Sequence, residues 1–324
     1  MTVRDRLLGL FIAVVWGLNF VALDFGLQHF PPLFFAGLRF AVLALPVMVF
    51  VPWPRVAWQW LIGYGLGFAT FQYAFLFIAL RMGMPTGLAS LVLQASAPFT
   101  VLLGALLLRE RITRVQVAGI GLAVLGMVVI GWHRAHTAAL LSVVLTLCGA
   151  LSWALGNLCS RKANPDNPLH LALWISIVPP LPMFTVSAVV EGPWAGWQAM
   201  ATVFGSAEGW RAFGGLAYTA LLSTVVGAGM WTTLMRRHPA SVVAPFSLLV
   251  PVVGFTAAWL ALGERPQLVE LAASLVVIVG VLLGSLRRLP DEPAIPARAE
   301  AVMSSAATAG SHRGPREPSP RRRS

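Results

Sequence analysis

Pro85-Thr86-Gly87-Leu88-Ala89 opens an apolar run that closes on Leu106-Leu107-Leu108-Arg109-Glu110-Arg111, and Pro239-Ala240-Ser241-Val242-Val243 opens a second that closes on Leu260-Ala261-Leu262-Gly263-Glu264-Arg265. The two are related by a constant offset of 154 positions. At that offset Pro85 meets Pro239, Glu110-Arg111 meets Glu264-Arg265, Val115 meets Val269, Ala118 meets Ala272 and Gly126 meets Gly280. One residue of slip brings Gln94 onto Ser247 and Pro98 onto Pro251. Further back, Trp16-Gly17-Leu18-Asn19 is echoed by Trp153-Ala154-Leu155-Gly156-Asn157. Matches of Leu and Val are cheap in apolar sequence; matches of Pro and of Glu-Arg are not. The chain is built of two copies of one unit.

Each copy must be read in lipid. The chain of 324 residues is 57% hydrophobic and only 11% charged, with a mean hydropathy of +0.77. Soluble domains carry about 25% charged residues, so a soluble enzyme, a disordered chain and a disulfide-stapled module are excluded. Apolar runs of about 20 residues, enough to cross a bilayer, lie near 7–25, 33–51, 58–80, 86–108 and 115–131. A second set lies near 139–160, 169–190, 212–235, 240–262 and 268–286. The stretch 191–211 is expected to be an interfacial loop, the alternative being an additional half-buried segment. The first run is too long for a cleaved signal peptide and is expected to remain as a helix. Five spans per copy is an odd number, so the second copy inserts upside down. The expected fold is therefore an all-α membrane protein of ten transmembrane helices in two inverted repeats, residues 1–136 and 137–289, with a disordered cytoplasmic tail at 290–324.

The net charge of +11 invites a nucleic-acid reading, but the basic residues sit between apolar runs, and none is expected. With the N-terminus inside, the inner segments hold twelve Arg and Lys and the outer loops four. That bias orients the chain with both termini cytoplasmic. Cys148 and Cys159 lie eleven apart in one run, beyond disulfide reach on a helix. No metal or cofactor site is expected, and neither nucleotide-binding nor hydrolase motifs occur.

Inverted repeats place a substrate site near the midplane, between the copies and beside broken helices. Pro98 and Pro251 mark matching interruptions, because each removes a backbone donor and clashes with the preceding turn. Neutral polar side chains within the spans, Asn19, Gln72, Gln94, Asn157 and Ser247, must find each other, the backbone or a ligand. Trp16 and Trp153 are placed to wall the cavity. Arg39 lies about two turns inside the outer end of the second span and must face a partner or a wet cavity. It pairs with Asp24, receives a substrate carboxylate, or snorkels outward to the lipid headgroups. Asp24 is also the candidate for ion coupling. This set suits a small polar or zwitterionic molecule.

The stretches Val15-Trp16-Gly17-Leu18-Asn19, Pro31-Pro32-Leu33, Gly37-Leu38-Arg39-Phe40, Gly83-Met84-Pro85, Gly87 to Gln94, Ser152-Trp153-Ala154 and Ala244-Pro245 with Ser247 to Gly254 resemble the EamA family of the drug/metabolite transporter superfamily. The closer likeness is to its bacterial O-acetylserine/cysteine exporters. That resemblance covers roughly residues 5–288 and implies ten helices and export of small amino-acid-like metabolites across the inner membrane by alternating access. Two departures stand out: Asp24 where the family has a basic residue, and Arg109 where it often has Gly. Efflux of drugs or quaternary amines is the alternative within transport, and a membrane scaffold the alternative outside it. A homodimer stays open.

Overall fold

The computed structural model describes residues 2–109, 112–135, 140–238 and 243–285. Glu110, Arg111, Pro239 and the tail lie outside these, as does the expectation that the tail is disordered. The described chain is helical, with no strand among the described residues. Among the described residues, seven helices are long and apolar enough to cross a membrane: α1 (Val3–His29), α2 (Pro32–Phe50), α3 (Trp58–Arg81), α4 (Thr86–Leu108), α6 (Leu140–Ala163), α7 (Pro168–Val190) and α8 (Ala207–Leu234). Between and after them lie three others, α5 (Arg114–Ala135), α9 (Leu249–Leu262) and α10 (Leu268–Ser285), each with a shorter apolar stretch.

Helix starts follow from local chemistry. Thr2 caps α1 by accepting from Asp5 N at 3.2 Å, and Asn167 caps α7 by accepting from Leu169 N at 3.0 Å. Helices α2 and α4 follow prolines and have no side-chain cap of their own. Their bare amides are satisfied from the other half of the chain. Glu191 accepts from Leu33 N and Phe34 N at 2.8 and 3.1 Å, and Glu264 from Thr86 N and Gly87 N at 2.7 and 3.0 Å. Carboxylates at helix N-termini are favoured by the helix dipole, so these two act as fastenings between the halves.

The neighbours correspond across the repeat. Helix α1 packs on α8 and α9, while α6 packs on α3 and α4; α5 packs on α10, and α2 on α7. Small residues let the backbones close up, as membrane packing requires. Gly126 faces Val277 and Gly280 faces Ala123, so the repeat-related glycines share the α5–α10 seam. The same correspondence holds inside helices. Helix α3 contains a π-helical segment at Gly65–Phe71, and α8 one at Tyr218–Gly227. Helix α4 contains a 3₁₀ turn at Leu93–Ala95, and Ala244–Leu248 forms another ahead of α9.

Residues 191–211 correct the sequence reading. They hold a short helix, Ala195–Thr202, and α8 begins at Ala207, earlier than the expected 212. Ser206 supplies the cap, accepting from Gly209 N at 3.0 Å. Trp197 packs edge-on to Phe34 at 5.2 Å between centroids, which ties the short helix to α2. Trp174 donates to the carbonyls of Val51 and Pro52 at 3.1 and 3.0 Å and pins the α2–α3 loop.

Candidate functional site

The π-segment of α8 is where the first two helices converge. Tyr218 Oη donates to the Val15 carbonyl at 2.9 Å, and Trp16 Nε1 donates to the Ser223 carbonyl at 3.1 Å. One residue further on, Arg39 Nη2 donates to Thr224 Oγ1 at 3.1 Å. Thr224 in turn donates to the Thr219 carbonyl at 2.8 Å, five residues back. A π-turn widens the helix and re-aims side chains and carbonyls, which is why such turns recur at functional sites. Gly227 completes the surface, because a Cβ there would collide with the Trp16 ring. Trp231 meets that ring at 5.2 Å.

Arg39 is 2% exposed. Its guanidinium carbon lies 4.2 Å from the Tyr73 ring centroid and 5.3 Å from that of Phe40. The aromatic faces contribute about 0.5–2 kcal/mol of cation–π attraction. A charge within a membrane span costs at least about 2.5–3.5 kcal/mol. Nε and Nη1 have no partner within the protein. Nη2 carries two hydrogens, one on each edge of the guanidinium fork. Whichever Thr224 takes, the other edge keeps a complete pair of parallel donors. That is the geometry a carboxylate fills. Asp24 does not fill it: its carboxylate accepts from Gln28 Nε2 at 2.7 Å. Of the two partners the sequence allowed for Arg39, the intramolecular one is not made.

The other sequence candidates fall into three groups. Asn19 and Gln72 are 7% and 3% exposed, and their Oδ1 and Oε1 atoms are buried without a partner in the protein. Gln94 and Ser247 are brought together: Gln94 Nε2 donates to the Ser247 carbonyl at 3.2 Å. That carbonyl lies four residues before Pro251, which has no N–H to give it. A side chain from one broken helix thus bonds the backbone of its repeat counterpart. Pro98 and Pro251 each sit just after a 3₁₀ turn, so the interruptions fall one turn earlier than the prolines themselves. In the third group, Asn157 Nδ2 donates to Thr100 Oγ1 at 3.2 Å, and Trp153 packs edge-on to Phe68 at 5.5 Å. These two tie α6 to α4 and to the π-segment of α3.

Sequence reasoning missed Tyr73, Tyr218, Ser223 and Thr224. The signal was there for one of them, because Thr70 and Thr224 stand at the same 154-residue offset. No group of three or more metal-ligating side chains gathers among the described residues. A surface groove of about 720 Å³ opens between the start of α1 and the second half of α8, past Phe11, Val225 and Met230. Arg39 does not line it.

A buried, half-satisfied arginine thus lies between helices of the two halves, and comparison with known proteins gives the class of membrane protein that carries it. The EamA-like transporter family matches residues 6–132 and again 140–286, and the chain belongs to that family. It is a multi-pass membrane protein. A Salmonella typhimurium protein named as a probable amino-acid metabolite efflux pump is 41% identical over 293 residues, covering 87% of this chain and 95% of its own. The Escherichia coli protein of the same name is 40% identical over 290 residues, with the same coverage. A Streptantibioticus cattleyicolor protein named as a probable terminal-alkyne amino-acid exporter is 30% identical, covering 64% of this chain and 66% of its own. A solved crystal structure, 19% identical, matches 89% of this chain and 100% of its own with a TM-score of 0.59, which speaks to the fold alone.

Proposed function

We propose that this protein exports small amino-acid-like metabolites, of the O-acetylserine and cysteine type, across the inner membrane by alternating access. One observation carries the reading: Arg39, 2% exposed, offers a complete donor edge that nothing in the protein fills. An α-amino acid supplies the carboxylate for that edge. The unpartnered amide oxygens of Asn19 and Gln72 suit its ammonium group. Trp16, Gln94, Trp153, Asn157 and Ser247 complete the cargo path, with the turns before Pro98 and Pro251 as its hinges. Relatives named as amino-acid metabolite efflux pumps support the same class of cargo. Efflux of quaternary amines is the poorer fit, since a buried guanidinium repels a cation.

The architecture that goes with this reading is ten spans in two inverted repeats, 1–136 and 137–289, with both termini in the cytoplasm. The paired π-segments, the paired 3₁₀ turns and the matching helix neighbours support it. Asp24, bonded to Gln28, is the candidate for ion coupling. Counterflow in proteoliposomes with O-acetylserine, cysteine and cationic dyes tests the cargo; saturable exchange of the amino acids is expected, and exchange of the dyes alone sinks the reading. Reporter fusions at positions 110 and 264 are expected on opposite sides of the membrane. Same-side signals end the inverted architecture.

A further inference from the structure

A long arginine stem is flexible, and a two-point contact with a carboxylate needs the fork held at one angle. Two groups hold it here. Tyr73 lies over the face at 4.2 Å, and Thr224 takes one corner at 3.1 Å. The threonine hydroxyl has a single proton, and that proton goes to the Thr219 carbonyl at 2.8 Å. Its oxygen therefore meets Arg39 as an acceptor only.

We propose that Thr224 is the positioning residue of the anion site. The π-turn fixes the hydroxyl, the hydroxyl fixes Nη2, and the edge of the guanidinium left over receives the carboxylate of the cargo. This deepens the carboxylate reading of Arg39 and rests on it. The repeat provides an internal control. Thr70, 4% exposed, donates to the Gly65 carbonyl at 3.2 Å, the same five-residue bond in the π-segment of α3. No arginine among the described residues meets it. The residue related to Arg39 by the 137-residue offset of Trp16 and Trp153 is Ser176. Its turn, Ile175–Ile177, packs on the π-segment of α3 just as α2 packs on that of α8. The hydroxyl-to-carbonyl bond is thus common to both halves. Of the two threonines, Thr224 is the one that accepts from a cation among the described residues.

The test is counterflow of O-acetylserine and of its carboxamide in proteoliposomes, reading KM and maximal rate separately. Wild-type protein is expected to prefer the acid. Thr224→Val is expected to raise KM for the acid roughly tenfold, the worth of one charge-assisted hydrogen bond. The maximal rate and the KM for the amide should hold. Thr224→Ser, which keeps the hydroxyl, is expected to restore the preference, and Thr70→Val to leave it intact. Should Thr224→Val fail to reach the membrane, Thr224→Ala adds no bulk and carries the same expectation. If Thr224→Val keeps the acid preference while Arg39→Gln erases it, the positioning role is overturned and the carboxylate site stands. If Thr70→Val and Thr224→Val shift KM alike, the hydroxyls serve the helix only and the role is again overturned. A wild type that does not distinguish acid from amide ends the carboxylate reading, and this proposal with it.

Discussion

The π-segments of α3 and α8 share a backbone and differ in what they meet. Each carries a threonine that bonds the carbonyl five residues behind it, Thr70 to Gly65 and Thr224 to Thr219. Each receives a tryptophan from the leading helix of the other half, Trp153 packing on Phe68 and Trp16 bonding Ser223. Beyond that they part. Beside the α8 segment stands Arg39, with its charge and its open donors; at the corresponding place in the other half stands Ser176, 2% exposed, with a hydroxyl that has no partner in the protein. The duplicated unit has kept its bends and small-residue seams, which any such bundle needs. It has let go of symmetry at Arg39, where the proposed cargo would bind. An asymmetric molecule such as an amino acid has one carboxylate to place, and one arginine suffices.

The largest expected effect comes from removing that arginine. Arg39→Gln takes away the charge and the fork, leaving Thr224 and Tyr73 in place. Truncating one member of a buried charge pair costs about 2–5 kcal/mol. A fall of roughly 30-fold or more in transport efficiency for a carboxylate-bearing cargo should follow. Ser176→Ala, the matching change in the other half, is expected to alter efficiency by less than about threefold, since a neutral hydroxyl contributes little net. Counterflow on both variants, normalised to protein in the membrane, checks the contrast. Equal losses would mean that the halves serve the cargo equally.

A smaller contrast separates the two tryptophans. Trp16→Phe keeps an aromatic ring against Trp231 but deletes the donor to the Ser223 carbonyl. Loss of one hydrogen bond is worth about 1 kcal/mol, so a several-fold rise in KM is expected through loosening of the turn beside Thr224. Trp153→Phe swaps one ring for another in an edge-on contact with Phe68. A smaller rise in KM than for Trp16→Phe is expected, because an aromatic ring stays in the cargo path. Exchange kinetics of the pair sharpen the comparison, and the reverse order would move the site toward α3.

How much of this was readable from the chain alone depends on the kind of signal. Pro98 and Pro251 announce broken helices because proline's effect is local and covalent. The Gln94–Ser247 pairing was visible as a repeat match, and it became a contact because Gln94 reaches a carbonyl to which Pro251 can give no N–H. Arg39 was legible as a problem, an arginine with too few neighbours in sequence to neutralise it. Its solution was not legible. Thr224 lies 185 residues away and reaches Arg39 only through a π-turn, and the segment Tyr218–Gly227 has no proline or glycine run to announce one. Asp24 looked like a partner because it sits at a similar depth, but Gln28, one turn along the same helix, is nearer to hand. Local competition won over a cross-helix pair. The helix within 191–211 was missed for a related reason: it is held by the distant contact of Trp197 with Phe34, and the early start of α8 by the Ser206 cap, and neither stands out against the Trp and Gly around it.

The smallest expected effect lies at the ends of α4 and α9, where the repeat is broken by one residue type. Both helices end in a left-handed residue, Arg109 with φ of 56° and Gly263 with φ of 69°. The backbone N–H of each reaches back to close the last turn, onto Gly104 and Ala258. Glycine adopts this conformation without penalty, whereas a side chain costs about 1–2 kcal/mol there. Arg109 therefore holds its turn against a local strain that its counterpart does not bear. Replacing Arg109 by Gly should relieve it, offset in part by about 0.5–1 kcal/mol of added freedom in the unfolded chain. A gain of roughly 0.5–1 kcal/mol remains, visible as a modest rise in thermal stability in detergent. Gly263→Ala should move the other way by a similar amount. No cargo group is involved at either end, so transport by Arg109→Gly is expected to match wild type. A variant that gained stability and lost exchange would show that the strain at Arg109 is part of how the halves move.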